Sequence, residues 1–162
     1  MEASLKEVKD SIGAIHDYPK PGIVFRDITP LLQNHDAFKS SIDALKQRYE
    51  KSGVTQIAAI EARGFLFGSA LAYALGCGIT LLRKPGKLPG KVVSQSYALE
   101  YGEDELQMHE NALTSNDKVL IIDDLLATGG TVLAADKLIR STGATVAEAA
   151  FVVSLPELGG ED

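Results

Sequence analysis

The sequence predicts an α/β fold: a doubly wound, mainly parallel sheet with helices on its faces. Three observations predict it. Short apolar runs at 57–60, 78–82, 119–122 and 146–153 alternate with stretches of helical spacing. The run Val119, Leu120, Ile121, Ile122 has no polar alternation, as suits a parallel strand covered on both faces. Two of the runs end in charged, glycine-containing turns that open a helix, the kind of connection a parallel sheet requires.

Composition agrees with one domain over 1–162. The chain is 45% apolar, enough for a core that folds without staples. The single Cys77 excludes an internal disulfide, and the wide separation of His16, His35 and His109 leaves no zinc-ligand spacing. Any metal is expected to arrive with substrate. A net charge of −6 without a basic block argues against a nucleic-acid partner. The charged N-terminus does not resemble a signal peptide, and no apolar run reaches membrane-spanning length, so the expectation is a soluble, cytoplasmic protein with no membrane partner.

Taken in order, Leu5, Val8, Ile12 and Ile15 recur at helical spacing with Ser4 placed to cap, predicting an amphipathic N-terminal helix. Pro19, Pro21 and Gly22 stop it. Residues 23–30 read as an extended segment whose prolines keep it out of a central strand, so it belongs at an edge or in a lid. Asp36 and the series Phe38, Ile42, Leu45, Tyr49 predict a helix to about Lys51, ended by Gly53. The strand 57–60 runs into Glu61, Ala62, Arg63, Gly64 and Phe65 and then a helix to about Leu75. An anion site fits that helix start. The bond before Arg63 is a candidate for a strained or cis peptide.

After the strand 78–82, residues 83–91 hold Arg83, Lys84, Lys87 and Lys91 with two prolines, an ordered but exposed loop. Residues 92–102 read as a hairpin-like excursion with a polar middle, able to pair with 106–109. Asn116 and Asp117 turn the chain into the strand 119–122. Past Ile122 come Asp123 and Asp124, then Thr128, Gly129, Gly130 and Thr131. A helix follows, with Val132, Leu133, Ala135, Leu138 and Ile139 on its apolar side and Gly143 beyond its end.

This second turn is a phosphate cradle. Gly129 and Gly130 let an anion approach free N–H groups, and the hydroxyls of Thr128 and Thr131 add donors. Two carboxylates directly before a phosphate site must face something else, and a sugar diol or Mg²⁺ both fit. Sugar plus phosphate suggests a 5-phosphoribosyl ligand. Other phosphate motifs fail by inspection: Gly76 and Gly78 start a dinucleotide fingerprint, but Leu81 stands where its third glycine belongs. Gly86 to Lys91 is one residue short of a Walker loop and is followed by Val92.

The run from Asp123 to Thr131, behind its apolar strand, resembles the phosphoribosyl pyrophosphate (PRPP) signature of the type I phosphoribosyltransferases. That resemblance implies that Asp123 and Asp124 contact ribose hydroxyls, and that Ala127, Thr128, Gly129, Gly130 and Thr131 hold the 5-phosphate. Residues 61–65 resemble the family's pyrophosphate loop, which assigns Arg63, with Arg83 and Lys87, to the leaving pyrophosphate. Residues 21–30 resemble the hood of the adenine phosphoribosyltransferases. By that likeness Phe25 stacks on the purine and main-chain atoms of Val24 and Arg26 read its edge. The ending Leu99, Glu100, Tyr101, Gly102 resembles their catalytic flap, with Glu100 as the catalytic carboxylate and Tyr101 covering the reacting centre.

Together the four motifs imply a purine-salvage enzyme joining adenine to PRPP with Mg²⁺, giving AMP and pyrophosphate. They also imply a homodimer, a hood within 1–30 and a flap over 83–102. A phosphoribosyltransferase for hypoxanthine, guanine or xanthine is the alternative within the fold, and a PRPP-sensing regulator the alternative outside catalysis. The 99–102 ending disfavours the first; the acidic charge and lack of a DNA-binding module disfavour the second. Family members usually continue past 157–160 through another strand that supports the hood, and this chain ends at Asp162.

Overall fold

A computed structural model describes residues 7–17, 21, 24–99, 101–126 and 129–154. It divides into two compact units, Met1–Arg48 and Tyr49–Asp162. Within the first, residues 7–10 are helical, and the Ser11 N–H and hydroxyl both bond the Glu7 carbonyl, at 3.1 and 2.8 Å. The predicted N-terminal helix therefore ends before Ile12 and Ile15. Ile15 lies instead in β1 (Gly13–His16), 43% exposed; helical spacing alone could not reveal that β2 (Val24–Asp27) supplies an antiparallel partner.

That pair keeps 24–27 out of any central strand, as the prolines require. The extended reading ends too late, however. Thr29 and Pro30 open α1 (Thr29–Gln33), because proline is tolerated where helical N–H groups have no partner. Asp27 Oδ1 accepts from the Thr29 N–H at 2.9 Å. Asn34 then caps α2 (His35–Tyr49), its Oδ1 accepting from the Ala37 N–H at 3.1 Å.

The second unit holds a sheet of four strands, β3 (Gln56–Ile60), β4 (Gly78–Leu82), β7 (Lys118–Leu126) and β8 (Thr145–Ser154). Their order is β4-β3-β7-β8, every pair parallel. Between β4 and β7 the chain makes an antiparallel hairpin, β5 (Val92–Ala98) with β6 (Glu103–His109). Arg83 and Gln107 exchange two backbone hydrogen bonds, 2.9 and 2.7 Å, which tie that hairpin to the end of β4.

Two helices complete the layers. In α3 (Arg63–Leu75), Gly68 lies against Ala59 and Ile57 so closely that a Cβ there would come within 2.7 Å of the Ala59 methyl. Gly76, at φ 75°, ends this helix in the left-handed conformation. In α4 (Gly130–Arg140), Ala135, Leu138 and Ile139 pack with Ala58, Ile60, Val119 and Ile121, and with Leu106 and Met108 of the hairpin. Odd-numbered and even-numbered positions of β3 face opposite ways, so α3 and α4 cover opposite faces. The sheet is doubly wound, as the sequence predicts.

The direction in which strands are added reverses between β3 and β7. From β3 the chain crosses by α3 outward to β4; from β7 it crosses by α4 outward to β8. The carboxyl ends of β3 and β7 therefore flank a switch point, the place where such sheets leave a crevice.

Candidate active site

Both predicted anion turns sit at that switch point. Glu61 and Ala62 leave β3, their peptide bond cis, one residue before the bond the sequence singles out. Arg63 opens α3. Behind it Gly64 meets β7 so closely that an added Cβ would lie 2.9 Å from the Ile122 carbonyl oxygen and 3.2 Å from Asp123 Cα. Only a residue without a side chain lets the helix start approach the strand this far. The close approach brings Arg63 Nε to 2.9 Å from Asp124 Oδ2.

Asp123 and Asp124 are not beyond the strand, as the sequence reading has it, but within it. β8 runs alongside as far as Ser154 and gives β7 a ladder partner through Leu126. Asp124 is nearly buried, its side chain 7% exposed. The Asp124 N–H bonds Asp123 Oδ1 at 2.8 Å. Burial, a hydrogen bond with Asp124 and the neighbouring charge push the Asp123 carboxyl up to about 8, although Arg63 and the Asp124 N–H pull the other way.

Between its unfolded value near 4 and about 8, Asp123 holds in the folded state a proton that the unfolded chain has released. Stability from this group is complete below the lower value and is lost as pH rises towards the upper one. The thermal midpoint of the ligand-free protein is expected to fall from pH 5 to pH 8 relative to Asp123→Asn. Parallel profiles for the two proteins would count against a raised carboxyl.

Glu61 gathers the cations of the following loop. Its Oε2 accepts from Arg83 Nε at 2.9 Å and from the Lys84 N–H at 3.0 Å, and Lys87 Nζ lies 3.9 Å from Oε1. The Arg83 guanidinium also sits over the Phe65 ring, 5.6 Å from its centre. Arg63, Arg83, Lys87, Asp123 and Asp124 are thus assembled at one end of the sheet. Sequence reasoning missed Glu61 as the organiser of this loop, although its place as the first charged residue past a buried strand could have signalled it.

Gly129, at φ 90°, caps α4, and Gly130 and Thr131 form its half-buried first turn. Tyr101 stands in the hairpin turn, 85% exposed. Arg26 is exposed on β2, beside Val24 and Phe25 in the same strand. Ala127, Thr128 and Glu100 lie outside the described residues.

Residues 27–162 match the phosphoribosyl transferase domain family. The chain is 76% identical over 162 residues to the adenine phosphoribosyltransferase of Idiomarina loihiensis, covering 100% of this chain and 92% of that protein. The chain belongs to the adenine phosphoribosyltransferase family. Solved structures of family members agree. The Saccharomyces cerevisiae enzyme, complexed with an imino-altritol bisphosphate and adenine, is 37% identical and superposes with a TM-score of 0.95 over 99% of this chain and 94% of that one. The Thermoanaerobacter pseudethanolicus enzyme is 49% identical, with a TM-score of 0.93 over 97% and 91%.

Proposed function

We infer that this chain transfers the 5-phosphoribosyl group of PRPP to adenine, releasing pyrophosphate and forming AMP in purine salvage. The observation that carries this reading is the Arg63–Asp124 ion pair behind the Gly64 contact, which joins the two phosphate-type turns in one site. Adenine as the base rests on the named relatives. In this reading Asp123 and Asp124 hold the ribose hydroxyls, and Ala127 to Thr131 hold the 5-phosphate. Arg63, Arg83 and Lys87 take the pyrophosphate. Val24, Phe25 and Arg26 read adenine, while Glu100 and Tyr101 act at the reacting centre.

The electrostatics support these roles. In the ligand-free chain a protonated Asp123 removes one negative charge from beside the 5-phosphate, and a bound cation would displace that proton. The carboxylates of Asp124 and Glu61 hold the guanidinium groups in place until a more highly charged partner arrives. In the reaction the C1–oxygen bond to pyrophosphate breaks as N9 of adenine bonds C1, and the N9 proton leaves. Positive charge gathers on C1 and the ring oxygen while negative charge gathers on the departing group. Each well-aimed donor there is worth roughly 10²–10³ in rate. Water must be kept from C1, a task for the flap of 83–102. Glu100 either accepts the proton through a base nitrogen or holds that nitrogen by a hydrogen bond.

Among the described residues no three His, Cys, Asp or Glu side chains gather as a metal cage. Adjacent Asp123 and Asp124 fit instead the way Mg²⁺ is held, by one or two carboxylates plus substrate oxygens. Bound with PRPP, the ion supplies positive charge to the pyrophosphate. Asp124→Ala is expected to weaken PRPP binding about 10–100-fold, the scale of a lost hydrogen bond to a charged group; unchanged affinity in a calorimetric titration would make the acid merely structural.

Residues 1–162 are read as one phosphoribosyltransferase domain with its hood in 1–30, since the family match begins at residue 27, within the first compact unit, and continues through the second. A homodimer and a cytoplasmic location are part of the same proposal. No helix among the described residues is long and apolar enough to cross a membrane. The deciding experiment is nucleotide formation from PRPP and Mg²⁺ with adenine, hypoxanthine, guanine and xanthine separately. AMP from adenine alone is the expected result. Another product base would overturn the base pocket, and no product with PRPP still bound would favour a regulator.

A further inference from the structure

Lys84 stands between Arg83 and Lys87 in the chain, yet its ammonium bonds other partners than Glu61. It bonds the Tyr97 hydroxyl at 3.1 Å and forms an ion pair with the Asp104 carboxylate. It also lies over the Tyr97 ring, 5.7 Å from its centre. Tyr97 and Asp104 are directly opposed across the β5–β6 ladder, one pair before the last, Ala98 with Glu103. One side chain therefore grips both strands just where the hairpin opens into the turn 99–102. The same residue's N–H is held by Glu61, so backbone and side chain of Lys84 join the end of β3 to the hairpin.

We propose that Lys84 is a positioning residue for the transfer reaction: by holding Tyr97 and Asp104 together, it fixes the hairpin turn relative to the loop that carries Arg83 and Lys87. This rests on the reading of that turn as the segment bearing the catalytic carboxylate. Several features make the link durable. The pairing raises the Lys84 ammonium and lowers the Asp104 carboxyl from their ordinary values, so both stay charged through neutral pH. The Tyr97 ring packs against the core cluster beneath, which anchors the grip on the sheet side. Lys84 is no more than half exposed and Asp104 less, so solvent only partly screens the pair.

The test compares Lys84→Met, Lys84→Arg, Asp104→Asn and Tyr97→Phe in the full chain, with Glu100→Ala beside them. Lys84→Met and Asp104→Asn are each expected to lower kcat about 10–30-fold while the Kd for PRPP shifts less than threefold. The double variant should lose no more than either single one, since both remove the same link. Lys84→Arg should restore most of kcat, and Tyr97→Phe should cost only a few-fold. Amide hydrogen exchange of 95–105 should quicken in Lys84→Met while the unfolding midpoint of the remaining chain holds.

Wild-type kcat in both Lys84→Met and Asp104→Asn would overturn the proposal. So would a PRPP or pyrophosphate affinity that falls in Lys84→Met and not in Asp104→Asn, because Lys84 would then be a direct phosphate contact. Full activity in Glu100→Ala would instead remove the reading of the turn on which the proposal stands.

Discussion

Arg63→Ala is expected to lower kcat/KM by about 10²–10³-fold, the scale found when one preorganised donor to a developing negative charge is removed. The site suggests why the effect should be this large. Arg63 is fixed at the helix start by Gly64 behind it and by Asp124 at 2.9 Å, so its guanidinium needs little reorganisation to meet a departing pyrophosphate. Its loss also leaves the nearly buried Asp124 carboxylate without that partner, which adds repulsion toward an anionic substrate. Arg63→Lys should recover only part of the rate, because an ammonium lacks the planar fork. Steady-state kinetics with varied PRPP checks the expectation; a loss under threefold in Arg63→Ala would remove Arg63 from the reacting centre.

Gly64→Ala is expected to damage the site as severely without deleting any functional group. The added methyl meets the Ile122 carbonyl at 2.9 Å and Asp123 Cα at 3.2 Å, both backbone atoms with little room to give. Relief requires the start of α3 to lift from β7, which separates Arg63 from Asp124. A stability loss of about 1–3 kcal/mol follows from overpacking, together with at least tenfold weaker PRPP binding, the equivalent of about 1.4 kcal/mol. Gly76→Ala is the informative control. Its φ of 75° disfavours a side chain, but nothing lies within 4 Å of the new methyl. It should cost about 1–2 kcal/mol of stability and leave PRPP affinity intact. Denaturant midpoints and PRPP titrations of the two variants separate these outcomes; equal PRPP affinities would show that the close approach at Gly64 does not shape the site.

Much of this is legible in the sequence alone. The unalternated run 119–122 gave away a strand covered on both faces, and α3 and α4 cover them. Turn chemistry located both strand-to-helix turns, because glycine and charge at a strand end mark a break into a new element. What escaped was whatever depends on a partner distant in sequence. Ile15 fits a helix until β2 pairs with it, and Asp123 and Asp124 look like turn residues until β8 extends the ladder. Glu61 is marked only as the first charge past a buried strand and Lys84 not at all, and neither position names its partners, since Arg83, Tyr97 and Asp104 reach them only through the folded sheet and hairpin.

The parallel pairing of β3 with β7 has a further consequence, for how the site comes into being. Thr55 and Lys118, which bond each other at the start of that pair, are 63 positions apart in the chain. Joining strands so distant closes a long loop, and the entropy of that closure must be met before any of the contacts beyond it can form. Neither Arg63 nor Asp124 has the other for company in a chain whose central strands are still apart. Recognition of PRPP is therefore born with the sheet rather than added to it, and the ligand, binding only the assembled form, draws the folding equilibrium toward completion.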